Sequence, residues 1–169
     1  MPFGVAWSDR IAEPSFAEEF RTYHEQMLAA WQTDAWCLDF LVWEHDSLVG
    51  AQGLRGERFA VGRTVGTGSW LGAEHQGRGI GTEMRAAALE LAFGGLGAVA
   101  ATSGWLEGNR ASARVSEKLG YQETGVSEMS PRGVPVSHHD LRLERTDWVS
   151  PCPVEIRGLE PALPLFGAV

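Results

Sequence analysis

Three glycines, Gly77, Gly79 and Gly81, stand within five residues, immediately before a segment with strong helical character. Glycine lets the backbone turn tightly and leaves its N–H groups uncovered by a side chain. The helix that follows adds unpaired N–H groups and the positive end of its dipole. Together these features predict a concave anion site that suits a phosphate or a pyrophosphate.

The flanking segments indicate which kind of phosphate site this is. A strand is predicted before the turn at 67–71, and a helix after it. No Gly-Lys-Ser/Thr closes the turn, which excludes a P-loop, and the spacing departs from the G-x-G-x-x-G dinucleotide fingerprint. The apolar face of the predicted helix is made by Met84, Ala87, Ala88, Leu91 and Ala92.

A second strand–helix unit follows the first. Small residues at 98–103 predict a strand, and the next helix begins at Asn109, a good N-cap residue. Gly120 follows that helix as a good C-terminal glycine. The glycine turn therefore lies in a strand–turn–helix–strand–helix frame, which is far more specific than three glycines alone.

With this frame the chain resembles the GNAT superfamily of acyl-CoA-dependent N-acyltransferases. The family's pyrophosphate motif, Q/R-x-x-G-x-G/A, is matched by Gln76, Gly79 and Gly81. Residues 109–121, NRASARVSEKLGY, are similar to the family's next motif. Their N-x-x-S start and K-L-G-Y end are most like the branch that acetylates the N-termini of ribosomal proteins.

The resemblance is close over 66–125 and looser over 36–55 and 133–148. It implies an α/β (α+β) fold with a GNAT-like mixed central sheet flanked by helices. It also implies acetyl-CoA or another acyl-CoA as co-substrate, and direct transfer of the acyl group to a primary amine in a ternary complex. We expect a single acyltransferase domain over 1–149, with 150–169 as a proline-rich tail that packs on it.

The resemblance also implies which residues bind CoA. Backbone N–H groups of the turn would bind the pyrophosphate, and the end of the preceding strand would pair with the pantetheine amide. Asn109 would bind the pantetheine arm as well as cap its helix. The complete predicted set is Leu71, Gly72, Gln76, Gly77, Arg78, Gly79, Ile80, Gly81, Thr82, Asn109 and Ser112.

The catalytic residues are less firmly indicated. By the family pattern the Ser112 hydroxyl faces the thioester sulfur and would protonate the departing thiolate. Many relatives carry a tyrosine one turn later, where this chain has Ser116, which leaves the identity of the acid open. Glu107 is the first candidate for the general base, because it precedes Asn109 near the expected acyl end.

Other candidates for the base are Glu74, Glu128, His138, His139 and a water molecule. The two histidines fall in a predicted strand, where alternation turns only one of them inward. A buried histidine with its hydrogen bonds satisfied is the plainer interpretation of that one.

Two alternative functions stay open. The absence of the tyrosine, together with the unassigned base, allows a non-catalytic acyl-CoA-binding regulatory module. An enzyme that uses succinyl-CoA or another longer acyl donor is the second, and Arg110 is the nearby basic residue that would favour a succinyl group. A protein N-terminus, an antibiotic amine and a small metabolite all remain open as the acceptor.

Composition limits the classes of partner, and the cellular location, that we expect for this chain. The net charge of −8 over 169 residues argues against nucleic acid and favours cationic partners such as amines. No apolar run is long enough to span a membrane, and the start at Met1 lacks the basic residues of a signal peptide, so a cytoplasmic location is expected. Cys37 and Cys152 lie outside metal-ligand spacing, which predicts reduced thiols and no metal. A homodimer is an open alternative to a monomer.

Outside the motif region the sequence predicts a helix opened by the capping box Ser15–Glu18, with one apolar stripe along it. The other predicted elements are strands at 36–44 and 48–55, a loop at 56–63, and a strand pair at 122–129 and 136–144. Relatives usually open with a strand before the first helix, and residues 1–13 show no such pattern. Residues 154–157 of the tail are predicted as a short edge strand. Two alternatives stay open for the missing strand: the chain is N-terminally short, or the tail supplies that strand.

Overall fold

A computed structural model describes residues 6–168 of the chain. Its centre is one mixed sheet with the strand order β1-β2-β3-β4-β6-β5, which confirms the predicted α/β class. The strands are β1 (Ala35–Glu44), β2 (Ser47–Glu57), β3 (Thr64–Leu71), β4 (Ala100–Leu106), β5 (Gln122–Met129) and β6 (Val136–Glu144). The α-helices are α1 (Phe16–Ala29), α2 (Phe59–Gly62), α3 (Ile80–Glu90) and α4 (Arg110–Lys118).

The sheet contains one short parallel pairing, between β3 and β4, among antiparallel neighbours. Thr64–Gly66 of β3 pairs with Ala100–Thr102 of β4, and the register ends there. The chain reaches β4 through α3, as a crossover between parallel strands requires. On either side, β1-β2-β3 and β4-β6-β5 pair antiparallel. Beyond Gly66 and Thr102, therefore, the facing edges of β3 and β4 no longer pair with each other as neighbouring strands.

The core lies between α3 and the sheet. Leu89 and Phe93 are buried, together with Val65, Ala101 and Leu143 of the sheet. Removing such side chains from water stabilises the fold by about 1.5–3 kcal/mol each. A π-helical turn over Leu91–Gly95 extends α3, and this end of the helix is held against the core by Phe93. The packing fixes α3, and with it the turn at its start, relative to β3.

The C-terminal tail reaches the core without forming a strand. Phe166 in the 3₁₀ helix Glu160–Phe166 packs edge-on against Trp31 and Trp36 at 5.2 and 4.9 Å between ring centroids. Trp31 Nε1 donates to the Leu165 carbonyl oxygen at 2.8 Å. The predicted edge strand at 154–157 is wrong, because the prolines that flank its start lack the N–H a ladder needs. The division into a domain and a tail stays a prediction.

Two local predictions near β1 and β2 are also wrong. Ser15 has helical backbone angles and makes no side-chain cap, so the expected capping box does not form. The loop predicted at 56–63 instead continues β2 to Glu57 and then forms α2. Phe59 at the start of α2 is fully buried, and an apolar side chain that must reach the core explains why this segment is ordered.

The apolar stripe of α1 does not enter the core. No residue of α1 is buried, and Phe20 and Tyr23 are 39% and 45% exposed. Trp7 packs against Phe20 of this stripe and against Trp70 at the end of β3.

The expectation of an opening strand falls partly on residues 1–5, outside the described residues. Ala6–Arg10 is a 3₁₀ helix. No helix within residues 6–168 has the length and apolar character needed to cross a bilayer.

Candidate active site

The divergence of β3 and β4 opens a cleft of about 620 Å³. Its walls are the last residues of β3, the glycine turn with the start of α3, the end of β4, and the start of α4. His138 of β6 and Met129 of β5 also line it. The open strand edges carry N–H and C=O groups that an extended amide ligand is able to pair with, as an added strand would.

The glycine turn forms one end of this cleft. Gly77 and Gly79 have φ angles of +75° and +91°, a backbone region that side chains disfavour. A Cβ at either position would meet no described atom within 4 Å, so the space over both glycines is open. Gln76 Nε2 donates to the Leu71 carbonyl oxygen at 3.0 Å, which ties the turn to the end of β3. The residues present therefore fit a pyrophosphate held by backbone N–H groups.

Most of the predicted CoA set converges on the cleft. Its lining includes Leu71, Gln76, Gly77, Gly79, Gly81, Thr82, Asn109 and Ser112. Gly72, Arg78 and Ile80 are adjacent in sequence but do not line it. The Gly72 N–H donates to the Val49 carbonyl oxygen, and the Arg78 guanidinium pairs with Glu44 at 2.7 Å. The Arg78 side chain thus already has an anionic partner on β1.

The start of α4 forms the opposite wall. Asn109 Oδ1 accepts a hydrogen bond from the Ser112 N–H at 3.1 Å, so the predicted N-cap is confirmed. Ser112 lines the cleft one turn inside the helix. Ser116, one turn further, is buried instead. The two serines therefore occupy different surroundings, and neither lies on a plain solvent-exposed helix surface.

A buried cation lies between α3, α4 and β3. Arg85 is 4% exposed and donates to Ser116 Oγ at 2.9 Å and to Ser69 Oγ at 3.0 Å. We call these three residues the Arg85 cluster. Burial lowers the pKa of the Arg85 guanidinium, because the charged form loses its hydration. The Arg85 Nε is buried without a partner in the described structure.

Sequence reasoning missed the Arg85 cluster, although one signal was present. Arg85 lies four and seven residues before Leu89 and Ala92, which are both fully buried, so it shares their stripe on α3. Nearby, the Tyr121 hydroxyl lies 3.0 Å from Thr67 Oγ1, and burial raises the pKa of this phenol. Tyr121 is therefore a core residue whose hydroxyl has a hydrogen-bond partner.

The two adjacent histidines of β6 have different surroundings. His138 lines the cleft, and its Nδ1 lies 3.0 Å from Oδ1 of Asp140. The ring rests over the backbone of Gly104, where a Cβ would lie 2.3 Å from Nε2. A neutral imidazole whose Nδ1–H points to a carboxylate presents Nε2 as a proton acceptor. His138 therefore combines a place on the cleft wall with a ring oriented by a carboxylate, which makes it a candidate general base.

His139 is held by ring and charge contacts. It stacks on Trp105 at 3.8 Å between ring centroids. Its nitrogens lie 2.9 Å from Glu107 and 2.7 Å from Glu123. The hydrogen bond to Glu107 is the larger cause, and the hydrogen bond to Glu123 the next, of a raised pKa for His139. Glu107 is 57% exposed at its side chain and is not among the residues that line the cleft.

Position 138 was one of several candidates in the sequence, and two features set it apart in the structure. The His-x-Asp spacing puts His138 and Asp140 on the same face of a strand, which is a readable signal. The packing of the His138 ring on Gly104 depends on how β4 pairs with β6. That pairing brings together residues more than thirty positions apart, and local pattern does not supply it.

Comparisons with known proteins agree with this architecture. A family model described as "Acetyltransferase (GNAT) domain" matches residues 5–122. Mycobacterium smegmatis RimJ, solved in complex with CoA-disulfide, superposes with a TM-score of 0.68 at 19% identity, covering 85% of this chain and 68% of that one. Vibrio cholerae spermidine N-acetyltransferase, solved with CoA and spermine, has a TM-score of 0.65 at 20% identity, covering 79% and 77%.

A further Vibrio cholerae structure, of a protein proposed to be a ribosomal-protein-serine acetyltransferase, has a TM-score of 0.64 at 19% identity, covering 77% of this chain and 74% of that one. At these identities the structures establish the fold alone. The family model extends over more than half of the chain and includes both motifs noted in the sequence. The chain therefore belongs to the GNAT acetyltransferase family.

Proposed function

We propose that this protein transfers an acetyl or similar acyl group from acyl-CoA to a primary amine by direct attack in a ternary complex. One observation carries the proposal: a turn with two positive-φ glycines adjoins the split between β3 and β4. The turn offers N–H groups to a pyrophosphate, and the split offers unpaired strand edges to an amide-bearing arm. CoA carries both groups in that order.

The turn and the start of α4 would hold the co-substrate. N–H groups of 77–82 would bind the pyrophosphate, while backbone near Leu71 would pair with the pantetheine arm and donate to the carbonyl oxygen that gains charge during transfer. Asn109 would bind the arm from the α4 side. Arg78 and Glu44 would stay paired, so the Arg78 contribution would come from its backbone rather than its charge.

His138 is our candidate for the general base. Its Nε2 would accept the proton that the amine nitrogen loses as the new N–C bond forms, and Asp140 would fix the ring. Ser112 would donate a proton to the sulfur as the C–S bond breaks. Both residues exchange their protons with solvent between turnovers. Glu107 is the weaker candidate, because it is already paired with His139.

Neither cysteine is needed as a nucleophile. Both are free thiols, and burial raises the pKa of the Cys37 thiol, which disfavours the thiolate that would attack. Direct transfer then relies mainly on holding the amine and the thioester together. The acidic chain favours a cationic amine as acceptor, and Trp70, Trp105 and Met129 would form apolar walls around it.

Thermal shift assays test the co-substrate. A ligand at about 100 times its dissociation constant stabilises the folded state by about 2.7 kcal/mol. We expect CoA and acetyl-CoA to raise the melting temperature, and NAD and ATP to raise it much less. Equal shifts with NAD would overturn the assignment. Release of free thiol from acetyl-CoA across an amine panel then separates an enzyme from a module that binds acyl-CoA without turnover.

A further inference from the structure

We infer that the Arg85 cluster recognises a carboxylate at the far end of the acyl chain, so that the preferred donors are dicarboxylic acyl-CoA thioesters such as succinyl-CoA. The inference rests on the proposed function and deepens it by assigning a class of acyl donor. It concerns the acyl end of the cleft, whereas the glycine turn at the other end serves every CoA thioester alike.

The first support is a buried charge without a counter-charge. Guanidinium groups lose their proton only above about pH 12, so they stay charged in proteins. Both hydrogen-bond partners of Arg85 are neutral hydroxyls, and no carboxylate pairs with it in the part of the chain that the structure describes. An unpaired charge away from water is costly, because it has lost its hydration without gaining a counter-charge. A ligand that brings an anion to this position would offset that cost.

The second support is that the cluster retains unused donors at the cleft. A guanidinium has five N–H donors, and the two serines accept two of them. The Nε–H is buried with no acceptor, and both Arg85 and Ser69 line the cleft. A carboxylate is able to accept two parallel N–H bonds from one guanidinium, and the second N–H of each terminal nitrogen is the donor that it would use.

The third support is position along the cleft. Ser69 lies beyond the last β3–β4 pair, at Gly66, where the strands have already separated. Ser69 also lies two residues before Leu71 on β3, on the side away from the glycine turn. Because backbone near Leu71 is proposed to pair with the pantetheine arm, a group carried beyond the sulfur would approach the cluster along β3. Arg110, the basic residue noted in the sequence, is exposed instead.

The experiment compares succinyl-CoA with butyryl-CoA, whose acyl chains have the same number of carbons but differ in the terminal carboxylate. Binding is measured by titration calorimetry, which needs no acceptor. We expect the wild-type protein to bind succinyl-CoA at least about tenfold more tightly, one decade being about 1.4 kcal/mol. Arg85→Met, which keeps an unbranched stem but removes the charge and every N–H donor, should bring the ratio close to one.

The ratio of two affinities within one variant cancels any general loss of CoA binding. Ser116→Ala keeps the cation and should keep most of the preference, and Arg85→Lys keeps a charge if Arg85→Met does not fold. Equal wild-type affinities for the two thioesters would overturn the inference while leaving the proposed function intact. Absence of binding to CoA and to every thioester would instead overturn the proposed function.

Discussion

The proposed pyrophosphate end of the cleft is built from backbone groups of one continuous stretch, whereas the proposed acyl end is built from side chains of separate elements. Residues 76–82 supply the first end through turn geometry and a helix start. The second end takes Ser69 from β3, Arg85 from α3, Gly104 from β4, Ser112 from α4 and His138 from β6. A backbone site depends on local conformation, while a side-chain site depends on how distant segments are packed.

This difference predicts how each end tolerates substitution. Under the proposed function, CoA binding at the turn depends on the backbone angles of glycine, so replacing a glycine should weaken that binding. At the acyl end, chemistry depends on individual functional groups, so conservative changes should separate turnover from binding. Variants at the two ends should therefore fall into two classes, and the following measurements test that division.

The largest effect is expected for His138→Gln. The amide is similar in size but does not accept a proton near neutral pH, and loss of a general base typically lowers the rate by about 10² to 10⁴. Steady-state kinetics should show the loss in kcat, and calorimetry should show a much smaller change in CoA affinity. If Glu107→Gln produces this loss and His138→Gln does not, Glu107 is the base.

Gly104→Ala tests the same prediction while leaving the histidine itself unmutated. The added Cβ would lie 2.3 Å from His138 Nε2, so the ring must move. A displacement of about 1 Å at a catalytic group is able to cost about 10² in rate. The matched control is Gly66→Ala in β3, where the nearest atom would be 3.8 Å away. Unchanged kcat in Gly104→Ala would contradict the seat proposed for His138.

At the other end of the cleft, Gly79→Val should weaken CoA binding by at least about tenfold, or 1.4 kcal/mol. The position has φ +91°, and a branched side chain there would occupy the open space over the turn. Gly97→Val is the control for backbone strain, since Gly97 is exposed, has φ +69° and also faces open space. Equal CoA affinities in the two variants would remove the turn from the site.

The smallest effect is expected from His139, which should influence stability rather than catalysis. Glu107 and Glu123 raise the pKa of His139. The stabilisation that these ion pairs give the folded state is therefore fully present below the ordinary histidine pKa of about 6.5. The stabilisation is lost as pH rises through the raised pKa. The melting-temperature advantage of the wild type over His139→Gln should shrink across that range. Because the pairs are exposed, we expect a difference below about 4 °C. A constant difference would argue against the pairing.

The contrast between the two ends also explains what the sequence alone was able to predict. Local pattern predicted the bounds of β5 and β6, the N-cap at Asn109 and the tight glycine turn, because each depends on neighbouring residues. It did not predict the Arg85 cluster, whose members lie sixteen and thirty-one positions from Arg85. Nor did it identify Phe166 as the residue of the tail that packs on Trp36. Three-dimensional packing determines these contacts, and periodicity does not report it.

The seat of His138 on Gly104 has an evolutionary consequence. While the imidazole occupies that space, any side chain at position 104 displaces it, so the two positions are not free to change independently. A lineage descended from this chain would be able to replace Gly104 only after position 138 had changed to a residue without a ring there. Among descendants that keep His138, glycine at 104 should be invariant. Sequences that have lost His138 but keep Gly104 should therefore occur, whereas sequences that keep His138 but have lost Gly104 should not.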